Sequence, residues 1–133
     1  MSIDASFDVA LEGISAVTLV VSDMRRSVRF YRSLGFPLRY GGEEAGFTSL
    51  AVGHGSLNLE GCPGREPAPT WGRVIFFVSD VDAMYERALS LGLSPQAPPR
   101  DAPWGERFFH VRDPDGHELS FAKPLARPRS TVE

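Results

Sequence analysis

The stretch DPDGHELSFA, Asp113 to Ala122, sets Asp113, Asp115, His117 and Glu118 almost side by side. Oxygen and imidazole donors at this density could serve a cation loop. The same residues also meet a different requirement. Asp at i, Pro at i+1 and Gly at i+3 make a type I turn. Asp-Gly between two alternating apolar segments, FFHV before and ELSFA after, is a strong hairpin signal. A calcium loop would need oxygens at alternate positions and a glutamate at its twelfth, and here a strand begins instead. The stretch therefore reads as a hairpin, with His117 beside it exposed to solvent. His54, in the Gly53-His54-Gly55 turn, is read the same way. Acid–base chemistry is open to His110 with Glu60 or Glu118. Cys62 lies in a linker beside Pro63 and has no catalytic role in this reading.

Composition narrows the classes. The 133 residues are 42% hydrophobic and 23% charged, with a net charge of −3 spread along the chain. That leaves no basic footprint for nucleic acid and only a mild pull on cations. A single cysteine excludes an internal disulfide and a cysteine-based zinc cluster, and it suits a reducing cytosol. The N-terminal MSIDASFD lacks the basic and apolar segments of a signal peptide. The apolar runs VTLVV and VIFFV are far short of the roughly 20 residues a membrane span needs. A cytoplasmic location and no membrane partner are expected.

Positioning these residues falls to a repeat. LVVSDMRRSVRFYRSLGF (Leu19–Phe36) is echoed by FFVSDVDAMYERALSLGL (Phe76–Leu93). Each copy reads as a strand, an N-cap, an amphipathic helix and a glycine stop. Strands are expected at Ala16–Val21 and Arg73–Val78. Ser22 and Ser79 are the expected N-caps, with Asp23 and Asp80 in the positive first turn. Met24, Val28, Tyr31 and Leu34, then Met84, Ala88 and Leu91, mark the apolar stripes, and Gly35 and Gly92 the stops. Further strands are expected at Phe47–Val52, Ser56–Glu60, Arg107–Arg112 and Glu118–Ala122, separated by Gly- and Pro-rich loops at Gly61–Thr70 and Pro95–Pro103. The expectation is one α+β domain over 1–133. It comprises a first βαβββ module (14–60), a linker (61–70), a second module (71–124) and a tail (125–133). Neither copy can bury its sheet face alone, so the two should pack together.

This doubled module, with V-S-D before each helix and RDPDGHELSFA near the end, resembles the vicinal oxygen chelate superfamily of glyoxalases, bleomycin-resistance proteins and extradiol dioxygenases. The resemblance implies two βαβββ modules forming a curved mixed sheet around a cavity. It also implies a metal ligand from the first and last strand of each module in the metal-dependent members. Those positions fall on Ala16, Asn58 (with Glu60 two residues on), Arg73 and Ser120. Alanine cannot coordinate, arginine repels a cation, and serine and asparagine are weak neutral donors. No metal or other cofactor is expected.

Strand alternation puts Ala16, Thr18, Val20, Asn58, Glu60, Arg73, Ile75, Phe77, Phe108, His110, Glu118, Ser120 and Ala122 on the cavity face. Val17, Leu19, Val21, Leu57, Leu59, Val74, Phe76, Val78, Leu119 and Phe121 go under the helices. Trp71 and Trp104 flank the cavity strands, and Pro103-Trp104-Gly105 resembles a Trp-Gly segment of bleomycin-binding members. The expected ligand site is Trp104, Phe108, His110, Arg73, Asn58, Glu60, Phe77, Ser120 and Trp71. The expected function is metal-free binding of a hydrophobic or aromatic small molecule, with Glu60 or Glu118 suited to a cationic one, as in antibiotic sequestration. The alternative is a lyase, isomerase or dioxygenase with a displaced metal, or metal-free catalysis by His110 with Glu60 or Glu118. A homodimer is expected in either case.

Overall fold

Helix starts are set by Asp23 and Asp80, not by the serines before them. Each carboxylate accepts an amide three residues on, from Arg26 at 3.1 Å and from Ala83 at 3.0 Å. In the first module the serine so released has a tertiary partner. The Ser22 hydroxyl donates to Asp115, 93 residues away, at 2.7 Å.

The computed structural model describes residues 8–9, 12–66 and 71–126. The first module runs β1 (Ala16–Val21), α1 (Met24–Ser33), β2 (Leu38–Tyr40), β3 (Phe47–Val52) and β4 (Gly55–Gly61). The second runs β5 (Arg73–Phe77), α2 (Val81–Ser90), β6 (Arg100–Asp101), β7 (Glu106–Arg112) and β8 (Glu118–Pro124). The α+β class and the doubled module are as the repeat implies. The mixed sheet is in fact two four-stranded sheets, ordered β1-β4-β3-β2 and β5-β8-β7-β6. In each, the first and last strands pair parallel and the others antiparallel. The 61–70 linker begins inside β4 at Gly61, and its residues 67–70 lie outside the described ones, as does the tail beyond 126. β2 and β6 were not located from sequence, because two- and three-residue edge strands are too short to show an alternation. Gly35 and Gly92 follow the helices at φ 104° and 81°, a left-handed turn that glycine makes without a Cβ penalty.

Helix-facing side chains from both sheets form one core. Leu19, Val21, Leu57 and Leu59 join Phe76, Phe109, Val111, Leu119 and Phe121. Each contributes roughly 1.5–3 kcal/mol by burial. The ring of Phe36, at the end of the first copy, meets Phe76 of the second edge-on at 5.0 Å. The two copies thus close each other's core.

The Asp-Pro-Asp-Gly turn is the second seam. It joins β7 to β8 as a hairpin, yet Asp113, Asp115 and His117 are all buried. Tyr31 donates its phenol to Asp113 at 2.7 Å, and Asp113 also accepts the amides of Asp115 and His117 at 2.9 Å. Asp115 accepts the Ser22 amide and hydroxyl and, at 3.3 Å, the Ser27 hydroxyl. His117, expected in solvent, is held between Trp71 Nε1 and the Val20 carbonyl, each at 2.9 Å. With the indole N–H donating to Nδ1, the proton sits on Nε2 and faces Val20. The expectation for His117 fails because one partner, the Val20 carbonyl, belongs to the other module and the other, Trp71, lies 46 residues away in the chain.

Candidate functional site

The face of the second sheet turned away from α2 carries most of the expected site. Register places Arg73, Glu118 and Arg112 in one row, then Ile75, Ser120 and His110, then Phe77, Ala122, Phe108 and Arg100. Alternation along each strand puts these side chains together, as the sequence implied.

The rows differ in chemistry. In the first, Arg73 Nη2 lies 2.7 Å and Nε 2.9 Å from Glu118 Oε2, and Arg112 Nη2 is 3.7 Å from Oε1. This is a two-pronged arginine–carboxylate pair, half covered by the sheet. Glu118 is therefore matched by arginine and not left to attract a cationic ligand. In the second row, His110 Nδ1 stands 4.0 Å from Glu118 Oε2, without a hydrogen-bond partner and buried. Burial pushes the imidazole below its ordinary 6.5, Arg73 and Arg100 push it further, and Glu118 opposes them. His110 is neutral near pH 7.

The third row is aromatic. Trp104 stacks on Phe108 with centroids 5.7 Å apart and planes 30° apart, and Phe108 meets His110 at 5.0 Å. The Arg100 guanidinium lies over the Phe108 ring, 4.4 Å from its centroid. Trp104 is 69% exposed, Phe77 63% and Ile75 56%, while the helix-side core is closed. Arg100 was missed from sequence because it lies in the Pro95–Pro103 stretch read as loop. Only its pairing with Phe108 across β6 and β7 brings it onto this face.

Not every expected residue joins this group. Asn58 and Glu60 lie on the first sheet, opposite Thr18 and Val20 of β1. Asn58 donates to Thr18 Oγ1 at 3.4 Å and its Oδ1 is buried without a partner, while Glu60 is exposed. Trp71 is half-exposed, but its N–H is committed to His117. It lines, with Ile14, Ala16, Ser56, Arg73 and Ile75, an open cleft of about 480 Å³ where β1 passes β5. The pair His110–Glu118 is thus assembled, whereas Glu60 is held in the other sheet.

The four positions that would hold a metal in this fold do not fit one. Ala16 offers no donor, Arg73 brings its guanidinium to Glu118, Ser120 is buried beside His110, and Asn58 is on the other sheet. Among the described residues no three His, Cys, Asp or Glu side chains converge.

Comparison with known proteins agrees with this architecture. The family model described as Glyoxalase/Bleomycin resistance protein/Dioxygenase superfamily matches residues 13–121. An uncharacterized protein of Mycobacterium tuberculosis is 42% identical over 48 residues, 36% of this chain and 28% of its own length. The match thus spans under a third of that relative. The uncharacterized YraH of Bacillus subtilis is 28% identical over 123 residues, covering 82% of this chain and 96% of its own. Among solved structures, a bleomycin resistance determinant encoded on transposon Tn5 has TM-score 0.72 at 23% identity, covering 86% of this chain and all of its own. A bleomycin-binding protein complexed with bleomycin has TM-score 0.68 at 24% identity, covering 85% and 98%. Lactoylglutathione lyase from Agrobacterium tumefaciens has TM-score 0.69 at 18% identity, covering 86% and 95%. With two βαβββ modules, a shared core and a family match over most of its length, the chain belongs to the glyoxalase/bleomycin resistance protein/dioxygenase superfamily.

Proposed function

We propose that this protein is a cytoplasmic, metal-free binder of a hydrophobic or aromatic small molecule, held on the open face of the second sheet. The observation that carries the reading is the aromatic row on this face: Trp104, 69% exposed, stacks on the buried Phe108, with Phe77, 63% exposed, in the same row. An apolar patch of Trp104, Phe77 and Ile75 beside arginine and histidine has the composition of a ligand face. Two structural neighbours are named for bleomycin resistance or binding. At 23% and 24% identity they carry the fold, and sequestration of an organic antibiotic is the biological role consistent with both. A second copy of the chain would cover this face and complete the cavity.

A thermal-shift screen of planar aromatic and amphiphilic compounds should find ligands that raise Tm. Stacking on Trp104 contributes about 0.5–2 kcal/mol beyond burial. Trp104→Ala should therefore fold normally and bind such a hit several-fold more weakly. Unchanged affinity in that variant would place the ligand elsewhere.

One feature favours a second reading as an enzyme. His110 is neutral, its buried Nδ1 unpartnered, and Glu118 is 4.0 Å away, an imidazole and carboxylate of the types acid–base catalysis uses. Turnover of a bound hit that disappears in His110→Gln would decide for catalysis. The glyoxalase, isomerase and dioxygenase chemistries are the reactions to assay first.

A further inference from the structure

Resting on the binding reading above, we propose that the ligand is a planar aromatic carrying an anionic group, with its ring on Trp104 and its anion on the Arg100 guanidinium.

On the open face of the second sheet, Arg73 and Arg112 both turn to Glu118, at 2.7 and 3.7 Å. Arg107 points to the opposite face, where Asp82 and Asp101 hold it at 2.8 and 3.0 Å. Glu106 accepts the Trp104 N–H at 3.3 Å. That leaves Arg100, which among the described residues forms neither an ion pair nor a side-chain hydrogen bond. Its guanidinium lies over the Phe108 ring at 4.4 Å, and a guanidinium placed on an aromatic face can still offer its N–H fork to a carboxylate.

The neighbours agree in sign. Arg73, Arg100 and Arg112 stand on this face against Glu106 and Glu118, and His110 between them is kept uncharged by its surroundings. Glu60, the remaining acid of the expected site, is on the first sheet in the row of Val20 and Phe47. Trp104 and Arg100 both lie against the Phe108 ring, so a cation bound there would meet the Arg100 charge as well as the Glu106 carboxylate, which the Trp104 N–H already engages. An anion there gains a charge-assisted pair, and its ring finds an indole already stacked on Phe108. A cationic drug-like ligand, which the acids alone suggested, is the opposite chemistry.

The test uses one ring with three charges: naphthoate, naphthalenemethanol and naphthylmethylammonium, titrated into the full chain by calorimetry at neutral pH. Naphthoate should bind about tenfold tighter than the ammonium, with the alcohol between them, as a partly desolvated charge-assisted bond predicts. Arg100→Gln should cost naphthoate about tenfold and the alcohol far less, and Arg100→Lys should restore part of the loss. An ammonium that binds as tightly as naphthoate, or naphthoate binding indifferent to Arg100→Gln, overturns the anionic assignment while the aromatic binding site stands. If none of the three binds, the open face is not a ligand site, and the binding reading falls with this one.

Discussion

The Tyr31 phenol donates to the Asp113 carboxylate at 2.7 Å across 82 residues of sequence, with Tyr31 fully buried and Asp113 5% exposed. This bond ties the helix of one module to the hairpin turn of the other. Burial of the phenol raises its pKa well above the ordinary 10, and the negative charge of Asp113 raises it further.

Tyr31→Phe should destabilise the protein by roughly 1–3 kcal/mol at neutral pH, because a buried carboxylate oxygen loses its donor. The parent should also lose stability on the alkaline side. Its unfolded chain releases the phenol proton near pH 10 while the folded chain keeps it. The stabilisation is thus complete below pH 10 and falls as pH rises above that value. Denaturant melts from pH 7 to 11 should show a steeper alkaline decline in the parent than in the variant. Parallel curves would mean another group governs the decline.

His110 should titrate below 6.5 in a proton NMR titration, since burial and the charges of Arg73 and Arg100 disfavour its imidazolium. The unfolded chain then takes up a proton near pH 6.5 that the folded chain refuses. Stability from this group is present above pH 6.5 and declines as pH falls through it. Arg73→Gln removes one cation and frees Glu118, so the His110 midpoint should move upward. An unmoved midpoint would show that burial alone sets it.

Elemental analysis of the purified protein should find no stoichiometric zinc, iron, nickel or manganese, since Ala16, Arg73, Ser120 and Asn58 cannot together hold one. About one transition metal per chain would sink this expectation. Glu118→Gln and His110→Gln would then be the first variants to test for its ligands.

Sedimentation at micromolar concentration should give about twice the 14.6 kDa chain mass. Phe77 and Ile75 on the second sheet, and Tyr40, 58% exposed, on the first, are apolar surface that a second copy would cover. Phe77→Glu should shift the population toward monomer. A parent that sediments as a monomer would leave those faces to solvent and ligand alone.

Much of the molecule was written locally. Period-two alternation assigned Leu19, Leu57, Phe76 and Phe121 to the core and Phe77, Phe108 and His110 to the open face, because neighbouring side chains on a strand must point oppositely. The repeat implied a shared core, and Phe36 against Phe76 supplies it. The Asp-Pro-Asp-Gly turn was legible as a turn from its residue types alone.

What tertiary structure decided is which partner each polar group found. Asp23, not Ser22, caps α1, and the Ser22 hydroxyl goes instead to Asp115 of the other module. His117 is buried because Trp71 and the Val20 carbonyl meet it from opposite sides. Arg73 is matched to Glu118, and Arg100 reaches Phe108, only through strand register. The physical reason is common to all four. Backbone alternation and turn propensity act between near neighbours in the chain, whereas a hydrogen bond, ion pair or cation–π contact forms with whatever group packing brings within a few ångströms.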